Sequence, residues 1–226
     1  MRGSFPPGCV RPGKGDPMAF RLSRPAPLSA LAWRDYRLYW AGHFVSHCGN
    51  WIEVTATSWI LYELTASPLL LGMNGLFRAA PLVGLTLVGG AVADRYPRRR
   101  LLLATETAML LASAAVGLVA AGGRLAFWHL YALSLLGGVT AAFQVPARQA
   151  LFPGLVERRD VQSAVALSIV AVRLAAFVGP VLAVPLLRAG YALPFLANAA
   201  SYGFMLAALA AMRAPAGAAG AGRGRL

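Results

Sequence analysis

The chain has 226 residues, of which 58% are hydrophobic and only 13% are charged, with a mean hydropathy of +0.60 and a formal net charge of +13. A soluble domain of this length needs far more charge to cover its surface, so the composition excludes an ordinary water-soluble fold. The basic residues fall mainly in predicted turns and tails, which argues against nucleic acid as a partner.

The first predicted element is an N-terminal tail. Residues 1–30 are rich in Pro, Gly and Arg and have no periodicity, which predicts a disordered cytoplasmic segment. Met18 is an alternative start for the chain. The segment 31–40 mixes aromatic residues with arginines, a composition that suits the lipid headgroup level and leads into the first helix.

Six apolar stretches follow, each about as long as the ~20 residues that a membrane-spanning helix needs. They lack the alternation of strands, and backbone in lipid must satisfy its own hydrogen bonds, so helices are predicted. The predicted spans are 38–64, 68–93, 101–121, 127–151, 161–187 and 191–212. The sequence thus predicts an all-α polytopic membrane protein with a six-helix transmembrane bundle over 31–212, followed by a disordered tail over 213–226.

The distribution of arginine predicts the orientation of the bundle. With the N-terminus inside, nearly all basic residues of the tails and turns lie on the cytoplasmic side, as the positive-inside rule requires. The sequence therefore predicts a multi-pass protein of the cell membrane with both termini cytoplasmic and the lipid bilayer as its immediate partner.

Ionisable and amide side chains inside spans usually face a bundle interior or a watery cavity, because lipid does not solvate them. In the first span, five polar residues recur at steps of three and four and share one face, namely His43, Ser46, Asn50, Glu53 and Thr57. Glu53 is the most plausible proton-binding group. It lies at nearly the same depth as Arg78, so a purely structural Glu53–Arg78 ion pair is an alternative.

Other spans carry similar pairs. Asn74 lies four residues before Arg78, Gln144 lies four before Arg148, and Arg173 is near the middle of the fifth span. Together these faces are predicted to line one interior cavity, with substrate- or proton-binding residues Asn50, Glu53, Asn74, Arg78, Gln144 and Arg173. Glu106 is predicted to pair with an arginine at the inner surface. The three histidines show no metal-ligand pattern, so neither metal nor cofactor is expected.

The turn after the second span carries the most specific motif. Gly90, Asp94, Arg95, Arg99 and Arg100 match the Gly-x-x-x-Asp-Arg-x-Gly-x-Arg-Arg signature, with a proline at position 97 in place of the second glycine. This pattern resembles the major facilitator superfamily. The resemblance implies a cytoplasmic gating network of charges, for which the predicted residues are Gly90, Asp94, Arg95, Arg99, Arg100 and Arg148.

Segments 59–68 and 146–153 are similar to the drug-efflux and siderophore-export branch of that superfamily. Gly179-Pro180, six residues after Arg173, resembles the motif of proton antiporters, although a kink with close helix packing is an equally good interpretation. The resemblance implies secondary active export of a small amphipathic molecule, driven by proton exchange through alternating access.

Length is the main departure from the family. Such transporters have two six-helix halves with substrate bound between them, whereas this chain contains one. It is therefore expected to be a fragment, or a half that pairs with a second six-helix half or with another copy. A non-transporting membrane protein that assembles with a partner is the alternative. An enzyme is not expected, since paired acids, a nucleophile and a metal cluster are absent from the sequence pattern.

Overall fold

A computed structural model of the protein describes residues 28–151 and 154–212. Within these ranges the chain forms six long helices and no strand. The helices are α1 (Arg34–Thr65), α2 (Pro68–Arg95), α3 (Arg98–Ala121), α4 (Phe127–Leu151), α5 (Val161–Ala189) and α6 (Ala192–Ala211). Short 3₁₀ helices precede α1 at Ser29–Ala32 and α5 at Arg158–Asp160. The all-α prediction is confirmed.

The predicted count of six apolar spans is too high by one. Five helices, α2 to α6, are long and apolar enough to cross a membrane by length and composition. α1 is the longest of the six, but the polar residues along one of its faces lower its mean hydropathy. Its polar face is covered by the bundle, because His43, Ser46, Glu53 and Thr57 are all buried.

The helices pack in an order that differs from their order in the chain. α2 packs against α4, α4 against α3, α3 against α6, α6 against α1, and α1 against α5. α1 also contacts α2 and α4, which brings it to the inside of this curved row. α2 and α5 form the two ends of the row and expose most of their apolar residues.

Glycine allows two of these close approaches. A Cβ at Gly49 of α1 would overlap the side chains of Ser201 and Asn198 on α6, and a Cβ at Gly138 of α4 would overlap the backbone oxygen of Arg78 on α2. The second approach matters for the site, because it presses the backbone that carries Arg78 directly against α4.

The two ends of the chain are described only in part. Residues 1–27 and 213–226 lie outside the described residues, so the predicted tails fall mostly there. The prediction of a disordered segment is wrong for its last residues, because Ala30 is buried in the first 3₁₀ helix. The following aromatic segment is held against α5 and the 3₁₀ helix before it. Trp33 Nε1 donates to Asp160 Oδ2 at 3.1 Å, and Tyr36 Oη donates to the Ala164 carbonyl at 2.7 Å.

Candidate functional site

A cavity of about 140 Å³ lies inside the bundle, between α1, α2, α3, α4 and α6. Its apolar wall includes Met109, Ala141, Val145 and Tyr202. The polar side chains that line it are Ser46, His47, Asn50, Arg78, Thr140, Gln144 and Arg148. Two of these are arginines, and no Asp or Glu of the described chain lines the cavity.

Arg78 reaches this cavity from α2. Its Nη2 donates a hydrogen bond to Asn50 Oδ1 on α1 at 2.8 Å. Its guanidinium passes beside Gly137 of α4, where a side chain would come into van der Waals contact with it. Arg78 forms no salt bridge with any residue that the structure describes. The guanidinium therefore keeps most of its five donors available toward the cavity.

Arg148 is the centre of a largely buried cluster that borders the same cavity. Its Nη2 donates to the Glu106 carboxylate on α3 and to Gln144 Oε1 at 3.0 Å. Its Nη1 lies 2.6 Å from His43 Nδ1 and 2.9 Å from His47 Nε2 on α1. A guanidinium has only donors, so both imidazole nitrogens accept, which requires each ring to be unprotonated at that atom.

Two predictions about this cluster need correction. The family resemblance predicts Arg148 to be part of the cytoplasmic gate, but it is only 8% exposed and lines the same cavity as Arg78. Glu106 does pair with an arginine, yet the pair is buried in the bundle and not at the inner surface. Within α4, Arg148 faces α1 and α3, where His43, His47 and Glu106 contact it.

Glu53 lies in a separate network between α1, α3 and α6. Its carboxylate accepts hydrogen bonds from Ser113 Oγ and from Asn198 Nδ2, the latter at 2.6 Å, and the residue is only 2% exposed. Ser201 Oγ in turn donates to Asn198 Oδ1 at 3.0 Å. The alternative of a Glu53–Arg78 ion pair is wrong, because Arg78 bonds to Asn50, one helical turn away.

The predicted substrate-binding residues are only partly brought together. Asn50, Arg78 and Gln144 line the cavity. Asn74 is buried on α2, and its Oδ1 has no hydrogen-bond partner among the described residues. Arg173 is exposed on α5, in a separate open depression with Ser168, Ile169 and Val172. The prediction of one cavity for all these faces is therefore wrong for Glu53, Asn74 and Arg173, which do not line it.

The basic turn at the start of α3 contacts two helix ends. Arg98 Nη1 donates to the Ala150 carbonyl at 2.8 Å, in the last turn of α4, and Arg99 Nη2 donates to the Ala210 carbonyl at 3.2 Å, in the last turn of α6. Cations at these positions satisfy free carbonyls and complement the negative ends of the helix dipoles. The turn thus joins three helices at one end of the bundle.

The remaining residues predicted for the gate stay outside this contact. Gly90 is partly buried with open space around its Cα, and Asp94, Arg95 and Arg100 are exposed. Asp94 forms no salt bridge with a described residue. The packing motif lies elsewhere: Gly179 is buried where α5 meets α1, and a Cβ there would overlap the Trp51 side chain. α5 continues through Pro180 as a helix.

Several residues of the Arg148 cluster and of the Glu53 network were not predicted from the sequence. The sequence pattern places His43 on the polar face of the first span but gives no partner for it or for His47, whereas both contact Arg148. Ser113 lies seven residues after Glu106, which places both on one face of α3. Asn198 is an isolated amide within an apolar span, a feature that by itself indicates an interior polar contact.

Comparisons with known proteins agree on one family. Residues 25–225 match the family model MFS_3, described as transmembrane secretion effector. The staphyloferrin A transporter of Staphylococcus aureus is 26% identical over 168 residues, which cover 74% of this chain and 42% of that protein. The enterobactin exporter EntS of Citrobacter koseri is 33% identical over 112 residues, covering 50% of this chain and 27% of that protein.

Macrolide efflux protein A of Streptococcus pyogenes is 27% identical over 117 residues, which cover 52% of this chain and 29% of that protein. No solved structure matches the chain. Against the staphyloferrin A transporter, the match extends over about two fifths of the relative's length.

Proposed function

The chain belongs to the major facilitator superfamily of membrane transporters, and on that premise we propose that it takes part in proton-driven export of a small amphipathic molecule. The observation that carries the proposal is the cavity inside the bundle, with Asn50, Arg78, Gln144 and Arg148 on its wall. Polar and charged groups inside a membrane bundle are costly, and they are typical of substrate and ion pathways. The cell membrane is the proposed location.

Glu53 is the proposed proton-binding group. Among the described residues, its carboxylate accepts hydrogen bonds only from the neutral donors Ser113 and Asn198, whereas Glu106 is held by the guanidinium of Arg148. Glu53 can therefore take up a proton without breaking an ion pair. Because the Glu53 network shares α1 with Asn50, a change in protonation has a direct path to the cavity wall.

The proposed orientation puts both ends of the bundle's chain in the cytosol. The bonds of Arg98 to α4 and of Arg99 to α6 place the basic turn at the same end as the last residues of those helices. A basic end of this kind favours the cytosolic side. We propose that this turn, together with Asp94, Arg95 and Arg100, serves as the gate.

Transport in membrane vesicles tests the proposal. The chain is expressed and a proton gradient is imposed, and movement of anionic, neutral and cationic fluorescent amphipaths is followed. We expect gradient-driven movement of at least one class, its loss in Glu53→Gln, and its retention in Glu63→Gln. Glu63 is the matched control, because it is exposed on the same helix and bonds only to Tyr191. Absence of gradient-driven movement for every probe would contradict the proposal.

Assembly with a partner half is the second candidate, favoured by Arg173. This guanidinium is exposed near the middle of α5 and forms no salt bridge with a described residue. A charge at that depth is expensive against lipid, so another polar surface is its proposed neighbour, either a second six-helix half or another copy. Native mass measurement in mild detergent tests this: we expect a complex, and a dissociated chain in Arg173→Leu. A wild-type monomer would contradict assembly.

A further inference from the structure

From the charge of the cavity wall, we infer that this site binds an organic anion, a molecule with a carboxylate and a compact apolar body. The inference rests on the proposed function and specifies the substrate class of the same cavity. The charge of the cavity wall is unbalanced, because two guanidiniums line the space and no carboxylate of the described chain does.

The two arginines differ in how their charge is met. Arg148 is paired with Glu106, which lies behind the cavity wall. Arg78 is bonded to the neutral amide of Asn50, and the carboxylate of Glu53 is turned toward Ser113 and Asn198. Among the described residues, the cavity therefore contains one guanidinium without an ion pair, inside a membrane bundle where an uncompensated charge is costly.

The free donors have the geometry that a carboxylate needs. A guanidinium presents parallel N–H groups that match two carboxylate oxygens, and charge-assisted bonds of this type are stronger than neutral ones. Arg148 also lines the space and adds a second positive charge there. A cation in the same space would meet two guanidiniums and gain nothing in return.

The rest of the wall indicates what the anion carries. Met109, Ala141, Val145 and Tyr202 supply a largely apolar surface, which an inorganic anion would leave unused. The volume, about 140 Å³, is close to that of an engineered ~150 Å³ apolar cavity that binds benzene. The site thus fits one ring or a short aliphatic body next to its carboxylate, either a whole small molecule or the acidic end of a larger one.

Three compounds of one shape test the inference. Binding of radiolabelled benzoate to the purified chain in mild detergent is measured by equilibrium dialysis, with neutral benzamide and cationic benzylamine as competitors. We expect saturable benzoate binding, with both competitors about tenfold weaker or more, since a charge-assisted hydrogen bond separates them from benzoate. Equal or stronger binding of benzylamine would overturn the inference.

Variants assign the binding to the cavity. Arg78→Gln should weaken benzoate binding by about tenfold, and Arg78→Lys should fall between it and wild type because lysine lacks the paired donors. Arg188→Gln is the matched control, an exposed arginine in the last turn of α5 and outside the cavity, and should bind as wild type. Ala141→Leu fills the cavity while keeping both arginines, so it also should lose binding even if Arg78→Gln folds poorly. Unchanged affinity in both Arg78→Gln and Ala141→Leu would refute the assignment.

The outcome is separable from that of the proposed function. Gradient-driven movement of cationic probes that benzoate does not inhibit would leave the transporter proposal standing and overturn the anion site. Benzoate binding with the expected dependence on Arg78, but without movement of any probe in vesicles, would do the reverse.

Discussion

The ion pair between Glu106 and Arg148 offers the sharpest test of the interior packing. Glu106 is fully buried and Arg148 nearly so, and the pair joins α3 to α4 while His43 and His47 bring in α1. Glu106→Gln removes the negative charge and keeps the shape of the side chain. It leaves a buried guanidinium surrounded only by neutral acceptors.

The expected loss is large for a single substitution. Removing one partner of a buried ion pair costs about 3–5 kcal/mol, because the other charge stays buried without compensation. Replacing both partners with apolar side chains is often neutral or stabilising by about 1–4 kcal/mol. The double variant Glu106→Met with Arg148→Met should therefore be much more stable than Glu106→Gln alone.

Unfolding by SDS in mixed micelles, followed by tryptophan fluorescence, measures these differences. The control is Glu157→Gln, which breaks an exposed 2.9 Å ion pair with Arg159. Exposed pairs contribute about 0–1 kcal/mol, so this variant should unfold close to wild type. Two results would contradict this prediction. One is that Glu106→Gln unfolds like Glu157→Gln; the other is that the double variant loses as much stability as substitutions at Glu106 and Arg148 lose separately, added together.

Two further predictions concern packing and pH. Gly49→Ala should destabilise the bundle by about 1–3 kcal/mol, because the added Cβ overlaps Ser201. The control Gly84→Ala has open space around the added Cβ and should be neutral or stabilising. Equal SDS midpoints for the two variants would contradict this prediction. A hydrogen bond to the Glu63 carboxylate, with a smaller effect of desolvation, raises the pKa of Tyr191 above its ordinary value of 10.0. The raised pKa means that this contact stabilises the fold fully below pH 10 and is lost as pH rises through the raised value. As pH rises above 10, the melting temperature of Tyr191→Phe should therefore fall less than that of wild type. If the two melting temperatures depend on pH in the same way, the result would count against the contact.

Local pattern was enough to predict the helices. Long apolar runs without alternation predict spans, and the steps of three and four in α1 placed His43, Ser46, Glu53 and Thr57 on one face, which the structure buries. The polar face also explains the miscounted span. It lowers the mean hydropathy of α1, so composition alone separates this helix from the five apolar ones.

The contacts between helices were harder to predict. Chain length predicts the depth of a residue in the membrane, and by this measure Glu53 and Arg78 lie at similar heights. Depth does not give the rotation of a helix about its axis, which packing determines. Gly49 and Gly138 set close approaches of α1 to α6 and of α2 to α4, so Glu53 faces Asn198 and Arg78 faces Asn50.

Chemical access to single cysteines tests the central claim, a polar cavity inside a membrane-embedded bundle. Starting from a variant without Cys9 and Cys48, cysteine is placed at Ala141 on the cavity wall or at Leu87, which is 88% exposed on α2. A membrane-impermeant sulfonate thiol reagent is then added to open membrane sheets. We predict rapid modification at position 141 and none at 87, where lipid covers the site. Rapid modification at 87 with an inert position 141 would contradict the account.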